Sequence, residues 1–285
     1  MRGGGRGAFG AASRVTLEIR PLDRPGGDFA DERPDDSFGF DPVFRERVRP
    51  LFQFLHDRYW RVEVTGAHHV PTSGPALFVS NHSGALPFDG AMVITAADLR
   101  GGRIVRFLYD RFVDNLSPVG QFYRKLGGAV ANRENAAALL RAGEAVLLFP
   151  EGVSGVAKPF TDRYRLRGFS PGFARLALAL DVPVVPVAVV GAEEIYPLVG
   201  RAEALGRLVG MPYVPVTPFF PLLGPLGALP LPTKWFIRFG KPLRLSPVDD
   251  EARWLRAKLE AIRVRRRIQA MVTRLKQRRR SVFFG

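Results

Sequence analysis

Short apolar runs recur along this chain with room for a helix between them, and this alternation constrains the fold more than any other feature. Helical patterns separate several of the runs, for example at 134–142 and 171–180. Alternating strands and helices predict an α/β fold with a mostly parallel central sheet flanked by helices. The runs predicted as buried strands are 61–64, 76–80, 104–108, 128–131, 145–149, 184–190 and 235–239.

The run VPVVPVAVVG at 182–191 is the most apolar of these segments. A strand without polar positions is typical of a sheet that is covered on both faces. Pro183 and Pro186 lack the N–H group that a strand donates to its neighbour. They therefore predict a sheet edge or a bulge near the start of this strand.

The N-terminal region divides into a tail and a helical segment. Residues 1–38 are rich in Gly, Arg, Asp and Pro and contain no signal-peptide core, so we expect a disordered tail and a cytoplasmic protein. The domain spans 39–250 and begins with amphipathic helices at 41–60. Asp41 and Pro42 are a typical N-cap and first helical residue, and Pro50 predicts a kink or a split. These helices either pack on the core or lie on a membrane surface.

Residues 208–233 carry no charge over 26 positions, which is long enough to cross a bilayer. Seven prolines in this stretch argue against a transmembrane helix, because each removes a backbone donor. We interpret it as an apolar excursion that covers a lipid-binding groove or dips into a membrane interface. The alternative is a loop buried against the core.

Residues 251–285 form a predicted basic amphipathic helix. Between 253 and 280 there are twelve Lys or Arg and one acid, in a chain whose net charge is +15. Such a helix favours an anionic membrane surface, although a solvated helix or a nucleic-acid patch has the same charge. No nucleic-acid-binding motif accompanies it, so nucleic acid is not an expected partner. Its apolar residues at near-helical spacing are Leu255, Leu259, Ile262, Ile268, Met271, Val272 and Leu275.

The turn after the second predicted strand carries the candidate catalytic residues, in the stretch SNHSGALPFDG. Ligands usually bind at the carboxyl ends of parallel strands. Pro87 is a plausible first helical residue, which puts Asp89 in a first turn that favours its ionised form. Asp89 could then orient His82 as a general base. Asn81, Ser83 and Gly84 complete the turn and are predicted to contact substrate, and Gly84 would let it approach the backbone.

Two further turns follow predicted strands. In AVLLFPEG, Glu151 and Gly152 come directly after Pro150, so this carboxylate could bind hydroxyls or a cation, or it could simply face solvent. In GGAVANRE, Arg133 follows a strand end. Its guanidinium suits phosphate, with a surface ion pair to Glu134 or Glu144 as the alternative.

The composition limits the available chemistry. There is no cysteine, so thiolate metal sites and disulfides are excluded, and the four histidines lack the i, i+4 spacing of a helical zinc site. We expect no metal and no cofactor. The absence of a G-x-S-x-G motif disfavours a serine hydrolase of that type.

Four blocks in this order resemble the PlsC-like glycerolipid acyltransferase superfamily, typified by 1-acylglycerol-3-phosphate O-acyltransferase. They are NHSGALPFD, GGAVANR, FPEG and VPVVPVAVVG, and the resemblance covers about residues 60–195.

The resemblance implies transfer of a fatty acyl group to a lipid hydroxyl. The thioester donor would be acyl-CoA or acyl-ACP (acyl carrier protein), and a glycerolipid such as lysophosphatidic acid would accept. His82 would be the general base and Asp89 would orient it, so the hydroxyl would attack the thioester directly. Arg133 would bind an acceptor phosphate, and Glu151 and Gly152 would shape the acceptor site. The enzyme would be a peripheral protein on the inner face of a membrane.

Two departures from the family pattern affect these expectations. Six residues separate His82 from Asp89, where the family has four, so their pairing is an inference. Val153-Ser154-Gly155 stands where many members have Thr-Arg-Ser, so another cation would have to replace the arginine. The candidates are Lys158, Arg163 and Arg167. Otherwise the acceptor is less phosphorylated, such as a mono- or diacylglycerol. A hydrolase or a non-catalytic lipid-binding protein of the same fold are further alternatives.

Overall fold

The computed structural model describes residues 38–83, 86–208, 210–211, 213–245 and 252–285. The predicted tail at 1–38 thus lies, apart from its last residue, outside the described residues, and so does Gly84.

A seven-stranded sheet organises the described part of the chain, in the order β1-β9-β6-β2-β5-β3-β4. The five strands from β6 to β4 are parallel, whereas β9 runs antiparallel to β6 and β1 runs parallel to β9. The predicted mostly parallel sheet is therefore confirmed, and all seven predicted runs belong to it. The strands are β1 (Glu63–Thr65), β2 (Ala76–Ser80), β3 (Val105–Tyr109), β4 (Gly128–Val130), β5 (Ala145–Leu148), β6 (Val184–Val190) and β9 (Phe236–Phe239).

Helices cover both faces of this sheet. On β2, Leu77 and Val79 face a core completed by α4, α6 and α8, whereas Ala76 and Phe78 face a core that includes α2. Helix α1 packs beside α2. The alternation along one strand thus builds two apolar layers. The α-helices are α1 (Pro42–Phe54), α2 (Phe88–Gly101), α3 (Val119–Lys125), α4 (Arg133–Arg141), α5 (Val153–Val156), α6 (Gly172–Leu180), α7 (Glu203–Leu208) and α8 (Arg253–Arg278).

The sheet edge and the helix split predicted from prolines are wrong, whereas the alternatives of a bulge and a kink stay predictions. Strand β6 lies between β2 and β9, so it is not an edge strand. It tolerates Pro186 because this residue lies beyond Phe239, the last residue of β9, and only its carbonyl is used there, by Gly240 N–H at 2.8 Å. Likewise, Pro50 does not split the N-terminal helix. Helix α1 continues to Phe54 and passes into a π-helical turn at Leu55–Tyr59.

The basic helix α8 uses its apolar stripe inside the protein. Ile268, Met271, Val272 and Leu275 are buried against β6 and α6. Only the first turns keep an exposed apolar surface, at Trp254, Leu255, Leu259 and Ile262. The face predicted for a membrane therefore belongs largely to the core.

The uncharged excursion has structure that the sequence did not indicate. Strands β7 (Gly200–Ala202) and β8 (Val214–Val216) form a separate antiparallel pair at its start. A 3₁₀ turn at Gly224–Ala228 follows. Among the described residues, no helix is both long and apolar enough to cross a membrane.

Candidate active site

The turn after β2 is fixed to the neighbouring strand by Asn81. Its amide nitrogen donates to the Val189 carbonyl at 3.0 Å, and its amide oxygen accepts from Val189 N–H at 2.9 Å. The buried side chain thus acts like one more residue of the sheet ladder. Asn81 was expected to contact substrate, but its polar atoms are engaged in holding the turn at the carboxyl edge of β6 and β2.

The next residue, His82, meets Asp89 at the start of α2. Its Nδ1 lies 2.7 Å from Asp89 Oδ2, and the backbone N–H groups of Ser83 and Gly90 donate to the same carboxylate at 2.7 and 2.8 Å. Asp89 is fully buried in the first turn of the helix, where backbone donors and the helix dipole favour a negative charge. The six-residue spacing is therefore compatible with the pair.

This arrangement selects one tautomer of the imidazole. An ionised Asp89 can only accept hydrogen bonds, so His82 Nδ1 carries the proton and donates it. Nε2 is then unprotonated and can take a proton from a substrate. The His82 side chain retains 15% of its exposure, whereas Asp89 has none.

Phe149 and Gly155 hold the imidazole from the side, and sequence reasoning missed both. The Phe149 ring stacks on the His82 ring with centroids 4.1 Å apart and an angle of 18°. A Cβ on Gly155 would lie 2.8 Å from the Cβ atoms of both His82 and Glu151. Phe149 reads as one more apolar residue of the β5 run, so the sequence carries no signal for its second role.

Glu151 binds the backbone of the turn that follows β2 and carries His82, which we call the catalytic turn. Its Oε1 accepts from His82 N–H at 2.9 Å, and its Oε2 accepts from Arg167 N–H at 2.6 Å. The side chain is fully buried. We expected this carboxylate to shape the acceptor site. The structure places it beneath the turn, with both oxygens used by the protein. Gly152 follows with φ +56°, a conformation that favours glycine.

Lys158 lies in the same buried layer. Its Nζ is 2.7 Å from Glu193 Oε1 and 3.6 Å from Glu151 Oε2. Burial raises the pKa of Glu193, an effect that the Lys158 charge opposes and the Glu151 charge reinforces. The expected substrate-binding cation is thus an internal counter-ion between two carboxylates, and it offers no charge to the surface.

Arg133 has a different setting. It is the first residue of α4, it is exposed, and among the described residues it has no carboxylate partner. Glu144, one of its two expected partners, lies 3.8 Å from Arg106 instead. Since β5 and β3 separate β4 from β2, Arg133 follows a strand end about 14 Å along the edge from the catalytic turn.

Tyr123 of α3 is a further neighbour that the sequence did not reveal. Burial and the negative charge of Asp89 raise the pKa of its hydroxyl to about 12. Tyr123 therefore stays neutral near the buried carboxylate at physiological pH.

Known proteins are similar to this chain in sequence and in fold. The model of the Acyltransferase family matches residues 61–190. An uncharacterised protein from Mycobacterium tuberculosis is 43% identical over 257 residues, which are 88% of this chain and 72% of that protein. The chain belongs to the Acyltransferase family.

Two more distant proteins are also similar to this acyltransferase. A crystal structure of the 1-acyl-sn-glycerophosphate acyltransferase PlsC from Thermotoga maritima has the same fold, with a TM-score of 0.54, 19% identity and 83% coverage of both chains. A human protein named DGAT1/2-independent enzyme synthesizing storage lipids is 28% identical over 133 residues, which are 46% of this chain and 41% of that protein.

Within its described residues, the acyltransferase has no group of three or more His, Asp or Glu side chains arranged to hold a metal ion.

Proposed function

We propose that this acyltransferase moves a fatty acyl group from a thioester of coenzyme A or acyl carrier protein to the hydroxyl of a glycerolipid. The observation that carries the proposal is the His82 Nδ1–Asp89 Oδ2 contact of 2.7 Å, which directs the free Nε2 of a partly exposed imidazole outward. No cofactor is needed, because the thioester supplies an activated acyl group.

The reaction balances with one base. The acceptor hydroxyl gives its proton to His82 Nε2 while its oxygen bonds to the thioester carbonyl carbon. The carbon–sulfur bond of the tetrahedral intermediate then breaks, and the thiolate takes the proton from the imidazolium. Asp89 stabilises the positive charge that the imidazole gains in between.

The backbone limits which groups can stabilise the oxyanion of that intermediate. The N–H groups of His82, Ser83 and Gly152 already donate to Glu151, Asp89 and the Phe149 carbonyl. These three groups are therefore not the oxyanion donors in this conformation.

Arg133 supports a phosphorylated acceptor such as lysophosphatidic acid. It is an exposed guanidinium at the carboxyl edge, and it can form a bidentate contact with a phosphate. A phosphate held there would direct the acceptor hydroxyl along the edge toward His82.

A mono- or diacylglycerol is the second candidate acceptor. Val153-Ser154-Gly155 contains no arginine, and Lys158 is buried between carboxylates, so neither the Val153-Ser154-Gly155 stretch nor Lys158 offers a charge to a phosphate. The name of the human relative, which says that it synthesises storage lipids, points the same way.

Lipid substrates place the proposed reaction at a membrane. We propose that the enzyme works as a peripheral protein on the cytoplasmic face, where basic residues such as those of α8 meet anionic headgroups.

The test is acyl transfer from labelled long-chain acyl-CoA, and separately from acyl-ACP, to a panel of acceptors in anionic vesicles. The panel contains lysophosphatidic acid, monoacylglycerol, diacylglycerol and a long-chain alcohol. We expect His82→Ala to lower kcat about 10²–10⁴-fold, the usual contribution of a general base. His68→Ala, which removes an exposed histidine, is the matched control.

If acyl transfer to lysophosphatidic acid occurs and is slower in Arg133→Ala, the acceptor is phosphorylated. If transfer to monoacylglycerol or diacylglycerol occurs and is unchanged in Arg133→Ala, the acceptor is the second candidate, a mono- or diacylglycerol. Full activity in His82→Ala would contradict the mechanism.

A further inference from the structure

The excursion leaves and rejoins the sheet at the edge that carries the catalytic turn. Strand β6 ends at this edge, and β9 begins there because it runs antiparallel to β6. The returning chain is fastened to the end of β6, where Leu231 N–H donates to the Ile195 carbonyl at 3.1 Å. The topology therefore puts the segment between β6 and β9 on the same side of the molecule as His82.

Four leucines of this segment point into solvent. Leu222 is 82% exposed, Leu226 71%, Leu229 63% and Leu223 53%. We call these four residues the leucine cluster. No charged residue occurs between 208 and 233, and the Tyr and Thr side chains of this stretch, Tyr213, Thr217 and Thr233, are buried. Exposed apolar patches of this kind mark interaction sites.

The segment that carries the leucine cluster is connected to the start of α2 through two aromatic residues. The Tyr196 hydroxyl donates to the Ala228 carbonyl at 2.6 Å, and Trp60 Nε1 donates to the Leu231 carbonyl at 3.1 Å. Both aromatic rings pack near Phe88, with centroids 5.2 Å from Trp60 and 6.4 Å from Tyr196. Since Phe88 precedes Asp89, buried apolar packing connects the start of α2 to the segment that carries the leucines.

Basic residues border the leucine cluster. Arg61 Nη2 donates to the carbonyls of Pro232 and Phe283 at 2.9 and 2.6 Å, so its charge lies beside the returning segment. The end of α8 brings Arg278 and the exposed Arg280 to this edge, and Glu63 pairs with Arg278 at 3.3 Å. Apolar residues rimmed by net positive charge complement an anionic lipid surface.

A second exposed apolar patch lies at the opposite edge. The segment before α8 pairs with the first residue of β6, through Leu243 and Val184, whereas Arg279 after α8 pairs with Glu194 beyond the end of β6. Helix α8 has 26 residues and is therefore about 39 Å long. Trp254, Leu255, Leu259 and Ile262 at its start are thus remote from His82.

We propose that the leucine cluster inserts into an anionic lipid surface and that this sets the catalytic edge against the membrane, while the apolar start of α8 stays away from it. The proposal rests on the proposed lipid substrates and names the surface through which they are reached. The basic end of α8 then acts beside the cluster as an electrostatic rim.

The test compares two matched double variants of the full chain. L222S/L226S removes two leucines of the cluster, and L255S/L259S removes two leucines of comparable exposure at the far end of α8. Co-flotation with vesicles of phosphatidylcholine and phosphatidylglycerol is measured without any acyl donor. We expect L222S/L226S to lower the partition coefficient at least tenfold and L255S/L259S to leave it within twofold of the wild type.

A second readout separates docking from catalysis. With a short-chain thioester and a short-chain acceptor, both water-soluble and without vesicles, L222S/L226S should keep the rate of the wild type. If L222S/L226S loses vesicle binding but the wild type transfers no acyl group, the result supports the proposed membrane surface and contradicts the proposed function. Equal vesicle binding by L222S/L226S and wild type would overturn the surface, as would a dimer that L222S/L226S dissociates without any change in vesicle binding.

Discussion

Asp89 and Glu151 are both fully buried carboxylates that hold His82, yet they hold different parts of it. Asp89 contacts the imidazole, whereas Glu151 contacts the backbone N–H. Among the described residues, Asp89 has no Lys or Arg partner, since its oxygens accept from N–H groups and the imidazole, while Glu151 shares Lys158 with Glu193. The first carboxylate therefore governs the protonation of the base, and the second governs its position.

Replacing Asp89 should have the largest effect on catalysis. In Asp89→Asn, the side-chain NH₂ group can face His82 Nδ1, which favours the tautomer with the proton on Nε2. We expect kcat to fall about 10²–10⁴-fold, because the general base is lost. The free energy of unfolding should also fall by about 1–3 kcal/mol, because the Ser83 N–H then faces the same NH₂ group and loses its acceptor. Steady-state kinetics and urea denaturation measure the two quantities.

The control for Asp89→Asn is Asp98→Asn on the same helix, where the carboxylate pairs with Arg45 and Arg49. Unchanged kcat in Asp89→Asn would remove Asp89 from the mechanism.

Replacing Glu151 should act on stability and position together. In Glu151→Gln, one side-chain oxygen remains for the N–H groups of His82 and Arg167, so one of these buried donors loses its acceptor. We expect the free energy of unfolding to fall by about 1–3 kcal/mol and kcat to fall about tenfold, since the imidazole shifts with its backbone.

The exposed Glu134→Gln serves as the control for this variant. A Glu151→Gln enzyme of native stability whose KM for the acceptor alone rises would return Glu151 to the substrate-binding role.

Replacing Lys158 should have the smallest effect of the three changes. The loss of stability should be smallest at low pH and should grow as pH rises. Burial holds the pKa of Glu193 above its ordinary value of about 4.5, so the folded state binds more protons than the unfolded state above that pH. Stability is therefore lost as pH rises from about 4.5 through the raised pKa. Lys158→Met removes the charge that opposes this shift, so the loss should extend to higher pH.

Thermal unfolding of wild type, Lys158→Met and Lys158→Met/Glu193→Gln between pH 4 and 9 tests this. The double variant should lose much of the extra pH dependence. Parallel curves for wild type and Lys158→Met would show that the lysine does not influence Glu193.

The sequence predicts the parts of this molecule whose signals are local. The seven apolar runs became strands of the main sheet because burial on both faces leaves a pattern in each run, and His82 stood out as a polar residue between two of them. The antiparallel pair β7–β8 left no such pattern, since each strand has three residues and β8 contains a proline.

The remaining features depend on contacts between distant parts of the chain. Lys158 became a buried counter-ion only because the fold brings Glu193 to it, 35 positions later in the sequence. In the same way, α8 looked like a membrane helix because the sequence cannot show that β6 and α6 cover its apolar stripe. The sequence thus identified which residues carry charge, and the tertiary contacts decided where each charge is used.

The pairing of Arg279 with Glu194 has a consequence for biosynthesis. The two residues are 85 positions apart, and Glu194 directly follows Glu193 of the buried charge cluster. A ribosome makes the catalytic turn and both glutamates long before it makes Arg279, so a chain that is still short of α8 has a buried acid without its partner. Assembly of this edge of the enzyme must therefore wait until α8 has been translated.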